Sequence, residues 1–232
     1  MIAADEDFIG SIDNVSVVQV GHLDAALTAT SWGASGGLVF DGATSLATVY
    51  NHADIAGLTS QAWAFLANAA SAGEGDNGTL YRWSLAGAQT RYLASNLYTA
   101  HQGATIFSEA LASSDGGTLG TNSWSLFAYD NATTRKSTIK VAKNGVISAV
   151  TLTSDVAMIG AYVTQTDALI LGNNSVASQT FDGTMYAIIV FNGNAISKLD
   201  SDYYPALIRY EPAYAAGVTI DGFDSGFDSG FG

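Results

Sequence analysis

The sequence has no cysteine, only two prolines and only eight basic residues among its 232. Without cysteine, disulfide bonds and thiolate metal sites are excluded. Proline is too rare to separate the structural elements, so we expect the 25 glycines to provide most of the breaks. The formal net charge is −13. Because nucleic-acid affinity rests on clustered Lys and Arg, we expect no nucleic-acid partner and interpret the acidity as an aid to solubility.

Long apolar runs are also missing. No stretch approaches the 18 or so apolar residues that a spanning helix needs, so we expect no membrane insertion. The opening "MIAADEDF" is acidic and lacks the basic region and apolar run that are typical of a signal peptide.

Glutamate and histidine are few and widely spaced. The glutamates are Glu6, Glu74, Glu109 and Glu211, and the histidines are His22, His52 and His101. A retaining glycosidase needs two carboxylates about 5–5.5 Å apart, and no two glutamates fall within one strand. No pair of histidines has metal-ligand spacing. We therefore expect no catalytic residues, no metal centre and no cofactor.

What the sequence does contain is a series of short runs of β-forming residues, bounded by Gly, Asn and Asp. "GTLYRWSL" and "NSWSLFAYD" alternate in polarity, and "STIKVAKNGV" indicates a hairpin with its turn at Asn144-Gly145. This pattern predicts an all-β fold of two antiparallel sheets packed face to face. The predicted core residues are Phe40, Trp63, Leu126, Ile139, Ile170 and Ile188. One short helix or turn is expected before Pro205, with Ser197 as its N-cap.

Residues Leu38 to Ile208 resemble the concanavalin A-like lectin/glucanase superfamily, specifically a laminin G-like jelly roll. The resemblance rests on "LVFDG" from Leu38, the Trp63 strand "SQAWAFLA", "NSWSLFAYDN" with its hairpin, "ALILGNN" and the closing "FDGTMYAIIVFNGNAIS". It implies a concanavalin A-like jelly roll over 23–210, with an N-terminal arm or leftover strand at 1–22 and a tail at 211–232. The Glu-x-Asp-x-x-Glu motif of the superfamily's glucanases is absent, so the resemblance implies binding without hydrolysis.

Two kinds of ligand fit such a domain. Exposed aromatic side chains bind sugars, and the candidates are Tyr81, Trp83, Tyr92 and Tyr98, although alternation directs about half of them to the core. Lectin-like jelly rolls often bind calcium through loop oxygens, and the candidates are Glu74, Asp76 and Asn77 in "GEGDNG" and Asp115 in "SSDGG". The alternative is that these residues only form turns.

A strand-like pattern occurs twice. "FIGSIDNVSV" from Phe8 matches "TFDGTMYAIIV" from Thr180, and the N-terminal copy keeps Asp13 where the closing strand has Tyr186. The segment is interpreted as the end of a preceding module, as an extra strand that adds to a sheet edge, or as a chance likeness of glycine-flanked strands.

The last residues, "GVTIDGFDSGFDSGFG", place Phe223, Phe227 and Phe231 four residues apart on a Gly/Ser/Asp background. Such a segment cannot form its own core, so it predicts an extended arm whose phenylalanines bind a partner. Tails and "IDNVSV" segments of this kind resemble structural proteins of tailed bacteriophages. That resemblance implies a non-enzymatic virion protein: a capsid decoration, a fibre subunit or a tail adhesin. It would be a homo-oligomer that contacts other virion proteins or host glycans. The alternative is a carbohydrate-binding module of a surface or secreted protein.

Overall fold

The computed structural model describes residues 25–207 except 35, 50–54, 56, 84–87, 104, 106, 113–117, 144–145, 164, 166, 175–177 and 194. The first strands along the chain are β1 (Ala25–Thr28), β2 (Ser31–Trp32), β3 (Leu38–Asp41), β4 (Leu46–Val49), β5 (Gln61–Ala69), β6 (Thr79–Trp83), β7 (Gln89–Leu93) and β8 (Asn96–His101). They are followed by β9 (Ser108–Ala112), β10 (Ser123–Asp130), β11 (Lys136–Lys143), β12 (Val146–Ala149), β13 (Leu152–Val156), β14 (Leu169–Leu171) and β15 (Asp182–Asn192).

Within the described residues these strands form two sheets. Sheet A has eight strands in the order β1-β4-β14-β6-β7-β8-β9-β13, and sheet B has seven in the order β12-β11-β10-β5-β15-β3-β2. Neighbouring strands in both sheets run antiparallel. The predicted two-sheet antiparallel sandwich is therefore confirmed. The hairpin predicted at Asn144-Gly145 is consistent with the pairing of Lys143 with Val146, although the two turn residues themselves lie outside the described residues.

The core between the sheets is built on stacked aromatic rings. The Trp63 and Tyr81 ring centroids are 4.2 Å apart and nearly parallel, and Phe65 and Phe127 meet edge to face at 6.1 Å. Large aromatic side chains bury more apolar surface than any others, so the stacking of Trp63 on Tyr81 joins sheet B tightly to sheet A. Of the predicted core residues, Phe40, Trp63 and Ile139 are buried in this core, and Ile188 packs against it partly buried.

The two other predicted core residues are also buried, but neither belongs to the cluster between the two sheets. Leu126 is on the opposite face of sheet B, where it packs with Trp124 and Leu199. Ile170 is 7% exposed, and it alternates with Leu169 and Leu171, which face the core, so its side chain lies on the outer face of sheet A. Both placements have one cause. Alternation divides a strand into two faces but does not say which face is interior when both are covered.

The second face of sheet B is covered by a helical segment. It consists of α1 (Ala195–Lys198), a π-helical turn (Leu199–Tyr203) and α2 (Tyr204–Leu207). The Tyr203 ring stacks on Phe191 with centroids 3.9 Å apart. The segment begins before Ser197, which is therefore not its N-cap, and it continues through Pro205, where the prediction ended it. The π-helical turn lies just before Pro205, which has no backbone N–H to donate to a helical hydrogen bond.

No helix of the described residues is long and apolar enough to cross a bilayer. Residues 1–24 and 208–232 lie outside the described residues. The N-terminal strand Phe8–Val17, the two boundaries proposed between the arm, the jelly roll and the tail, and the tail phenylalanines therefore stay predictions.

Candidate functional site

The outer face of sheet A carries a cluster of polar side chains near its centre. Alternation creates it, because Tyr81, Trp83 and Tyr92 point into the core and their neighbours along the strands point outward. Arg82 on β6 lies opposite Gln89 on β7. Three further residues complete the set, which we call the outer-face cluster: Arg82, Gln89, Arg91, Tyr98 and Glu109.

Tyr98 organises this cluster. Arg91 lies directly opposite Tyr98 in the β7–β8 pair, and its Cζ is 5.1 Å from the ring centroid. The Tyr98 hydroxyl donates a 2.8 Å hydrogen bond to Oε1 of Glu109. Glu109 pairs with Ala100, so it is the diagonal neighbour of Tyr98 across β8 and β9. Tyr98 is buried, with 9% of its surface exposed, and the four other members of the cluster are half-buried.

Burial and neighbouring charge both act on the ionisable groups here. Desolvation raises the pKa of Tyr98, and the hydrogen bond to Glu109 raises it further, so the phenol keeps its proton and remains a donor. Desolvation lowers the pKa of Arg91, and the positive charge of Arg82 acts in the same direction, against the opposing effects of Tyr98 and Glu109. Two guanidinium groups therefore share one partly desolvated area with a single carboxylate.

Several polar atoms of the cluster have no partner. Among the described residues, Nε of Arg82, Nε of Arg91 and Oε1 of Gln89 are buried without a hydrogen bond. Leaving a buried polar group unpaired costs about 1–3 kcal/mol, so such groups commonly mark a place where water or a ligand completes the network. The face thus presents donors, an acceptor and one carboxylate on rigid strands, which is the kind of polar array that orients a bound small molecule.

The structure brings one of the four predicted sugar-binding residues to this surface. Tyr81, Trp83 and Tyr92 are 0%, 1% and 3% exposed and lie in the core between the sheets. Burial removes these three from the predicted set and leaves Tyr98. The segments "YRW" and "QTRY" also contain the residues that alternate with the buried aromatics, Arg82, Gln89 and Arg91, which were not predicted as site residues.

The residues proposed for calcium are used in the loop between β5 and β6. Glu74 Oε2 accepts hydrogen bonds from the backbone N and hydroxyl of Thr180, at 3.2 and 3.0 Å. Asn77 donates to the carbonyl oxygen of Gly75 at 2.6 Å. In the part of the chain that the structure describes, no group of three or more His, Asp and Glu is placed to hold a metal. Asp115 lies outside that part.

Among the described residues, the glutamates Glu74 and Glu109 and the histidine His101 each contact a different partner. Glu74 and Glu109 belong to different elements and bind different partners, Thr180 and Tyr98. His101 is buried in the core, where its Nδ1 lies 3.0 Å from Oγ of Ser137. Burial lowers the pKa of His101 to about 3, so it is neutral at physiological pH. Glu6, Glu211, His22 and His52 lie outside the described residues.

No protein-family model matches the chain, and no curated protein matches it. Among solved structures, the chain is similar to binding domains of botulinum neurotoxins. The serotype D binding domain superposes with a TM-score of 0.54 at 8% identity, covering 79% of this chain and 46% of that one. The serotype G binding domain gives a TM-score of 0.55 at 8% identity, covering 79% and 45%. A serotype D ligand-binding domain in complex with N-acetylneuraminic acid gives 0.51 at 10% identity, covering 79% and 46%.

The chain spans about half the length of these neurotoxin domains. Identity this low shows the fold alone, and that fold is a two-sheet β-sandwich. The fold and the outer-face cluster together define a β-sandwich with a charged, partly unsatisfied polar face.

Proposed function

We propose that this chain is a non-enzymatic, lectin-like domain that binds glycans through the outer-face cluster. The observation that carries the proposal is the set of unpartnered polar atoms on Arg82, Gln89 and Arg91, which are held beside the Tyr98–Glu109 hydrogen bond. Sugar hydroxyls donate and accept hydrogen bonds, so they can satisfy a guanidinium and an amide oxygen at the same time. Tyr98 acts as a positioning residue, because Arg91 already covers its ring.

The similar structures support a binding role. They are named as binding or ligand-binding domains, and one of them is in complex with N-acetylneuraminic acid. A shared fold alone does not transfer a function, so this support is secondary to the polar face itself.

The absence of hydrolysis is part of the proposal. Glu109 is the one glutamate of the outer-face cluster, and its carboxylate accepts a hydrogen bond from Tyr98. Glycoside hydrolysis needs a second carboxyl group on the other side of the scissile bond. Incubation with a panel of polysaccharides should release no reducing ends, and release that is abolished by E109Q would contradict the proposal.

We infer further that the domain belongs to the virion of a tailed phage, as a capsid decoration, a fibre subunit or a tail adhesin. The resemblance of the C-terminal tail to phage structural proteins supports this location. Among the described strands, β1 and β2 lie at sheet edges, and such edges support contacts with copies of the chain or with other virion proteins. Leu27 on edge strand β1 is 47% exposed, and Trp32 on edge strand β2 is 74% exposed. Exposed edge strands are the usual sites of strand addition.

Two experiments test these proposals separately. A glycan array probed with the fluorescently labelled protein should retain a related group of glycans, and R82A with R91A should reduce the signal while the fold is unchanged by circular dichroism. Binding that is insensitive to these substitutions would contradict the site.

Mass spectrometry of purified phage particles should detect the chain, and its detection only in secreted or cell-surface fractions would favour the carbohydrate-binding module.

A further inference from the structure

The two arginines of the outer-face cluster differ from three lysines of the chain, each of which forms an ion pair. Lys136 pairs with Asp155, Lys140 with Asp200, and Lys198 with Asp202. Among the described residues, neither Arg82 nor Arg91 lies within ion-pair distance of a carboxylate or has a hydrogen bond at Nε. Their charges are therefore uncompensated at close range, in a chain where acidic residues greatly outnumber basic ones.

The sheet geometry keeps these charges near each other. Arg82 lies opposite Gln89, and Arg91 follows Gln89 by two residues on the same face of β7. The two side chains are thus diagonal neighbours beside a register shift between Thr79 and Tyr81, and they are close enough for the charge of Arg82 to act on Arg91. Desolvation lowers the pKa of Arg91, and the positive charge of Arg82 lowers it further. An anion between them would remove this repulsion.

The net charge of the outer-face cluster predicts that its ligand is an anion. Arg82 and Arg91 contribute two positive charges, Glu109 contributes one negative charge, and Tyr98 keeps its proton. The outer-face cluster is therefore net positive, although the chain as a whole carries −13. The surrounding acidity opposes polyanions such as nucleic acids, because repulsion grows with every added charge. A ligand with a single anionic group meets only the local field.

Among single anionic groups, a carboxylate fits this site. The planar guanidinium fork binds carboxylates through paired N–H···O bonds, and these are stronger than bonds between neutral groups. Gln89 lies between the two arginines and offers an amide to neighbouring hydroxyls. A carboxylate that stands beside ring hydroxyls is the chemistry of acidic sugars.

We propose that the outer-face cluster is an acidic-sugar site in which Arg82 and Arg91 bind the carboxylate of a uronic or sialic acid and Gln89 binds an adjacent hydroxyl. This inference rests on the glycan-binding function proposed above and specifies its ligand. Glu109 offsets one of the two arginine charges. The site therefore has a surplus of one positive charge, which matches a single carboxylate.

The test compares probes that differ only in charge. Isothermal titration calorimetry with the full chain would use galacturonic acid against its methyl ester, and sialyllactose against its methyl ester. We expect each acidic probe to bind at least tenfold more tightly than its neutral partner. R82Q and R91Q should each reduce acidic-probe affinity about tenfold, the effect of losing about 1.4 kcal/mol, and should lower the ratio of acidic-probe to neutral-probe affinity. K198Q is the matched control, since it removes one positive charge from the helical segment on sheet B, and it should change neither.

Each other outcome overturns the proposal in a distinguishable way. Equal affinity for acidic and neutral probes would reject the carboxylate while glycan binding stands. An equal loss in K198Q would show a general charge effect. No heat with any of the four sugars would reject glycan binding as well. Sodium phosphate binding as tightly as the acidic sugars would indicate a simple anion site. Circular dichroism melts of R82Q and R91Q exclude loss of fold as the cause of lower affinity.

Discussion

Tyr98 and Glu109 are joined across β8 and β9 by a 2.8 Å hydrogen bond, with the phenol as donor. The bond lies on the outer face of sheet A under Arg91, whose guanidinium carbon is 5.1 Å from the Tyr98 ring centroid. A neutral phenol thus connects an anion to a cation without an ion pair between them. This arrangement holds the two charged side chains in place and leaves the guanidinium nitrogens of Arg91 for a ligand.

Y98F tests that arrangement. The ring stays under Arg91, but the donor to Glu109 is lost and a partly buried carboxylate becomes unpaired. We expect the free energy of unfolding to fall by about 1–2 kcal/mol and glycan affinity to fall with it. Urea denaturation and the glycan titration measure the two effects. Unchanged affinity in a folded Y98F protein would mean that Tyr98 does not position the site.

The alternation of residues along the sequence predicts where the strands of this protein lie. It does not predict which face of each strand packs between the two sheets. In β10, Phe127 faces the core between the sheets, whereas Trp124 and Leu126 lie under the helical segment, and all three are equally apolar. Nothing in the strand itself distinguishes the two faces. The helix that covers the second one begins near Ala195, and this long-range contact is invisible to a local pattern.

The candidate site was missed for a related reason. Aromatic residues on a strand indicate either a core or a sugar platform, and here Tyr81 and Trp83 form the core. The functional signal lay in the polar residues between them, Arg82 above all. Only the pairing of β6 to β9 brings Arg82, Arg91 and Glu109 to one surface, because Glu109 is distant in sequence from the two arginines.

Gly172 is required by the packing of the core. Its φ is +72°, and a Cβ there would lie 1.9 Å from Cε1 of Phe40. We expect G172A to lower the free energy of unfolding by about 2–4 kcal/mol, since overpacking adds to the cost of a left-handed backbone. Denaturant titration measures the loss. The matched control is G75A, where φ is +58° but no atom lies within 4 Å of the added Cβ, so only about 1–2 kcal/mol is expected. Equal losses in the two variants would contradict the role of Phe40.

His101 should make stability depend on pH. Burial lowers its pKa from 6.5 to about 3, so the unfolded chain binds a proton that the folded protein excludes. The stabilisation is fully present above pH 6.5 and is lost progressively as pH falls toward 3. One group of this kind costs about 2 kcal/mol between pH 6.5 and pH 5. The measurement is the free energy of unfolding at both pH values for the wild type and for H101Q. The variant should lose less stability on acidification, and identical pH profiles would show that His101 titrates normally.

The tail yields the last prediction, because no described contact depends on it. The helical segment that covers sheet B ends at Leu207, which is fully buried there. Deleting residues 221–232 should therefore leave the melting temperature of the sandwich nearly unchanged. Burial of one Phe contributes about 1.5–3 kcal/mol, while ordering an arm costs about 1–2 kcal/mol per residue. Phe223, Phe227 and Phe231 alone cannot offset the ordering of the last ten residues, so hydrogen bonds to a partner's sheet edge must contribute.

The deletion should consequently weaken assembly, which sedimentation velocity of the full and truncated chains measures. Replacing the three phenylalanines by serine keeps the length and charge of the tail and should weaken assembly to a similar extent. If the serine variant assembles like the wild type while the deletion does not, the backbone of the tail and not its aromatic side chains makes the contact. If the truncated chain assembles normally, or loses its fold, the tail is not a partner-binding arm.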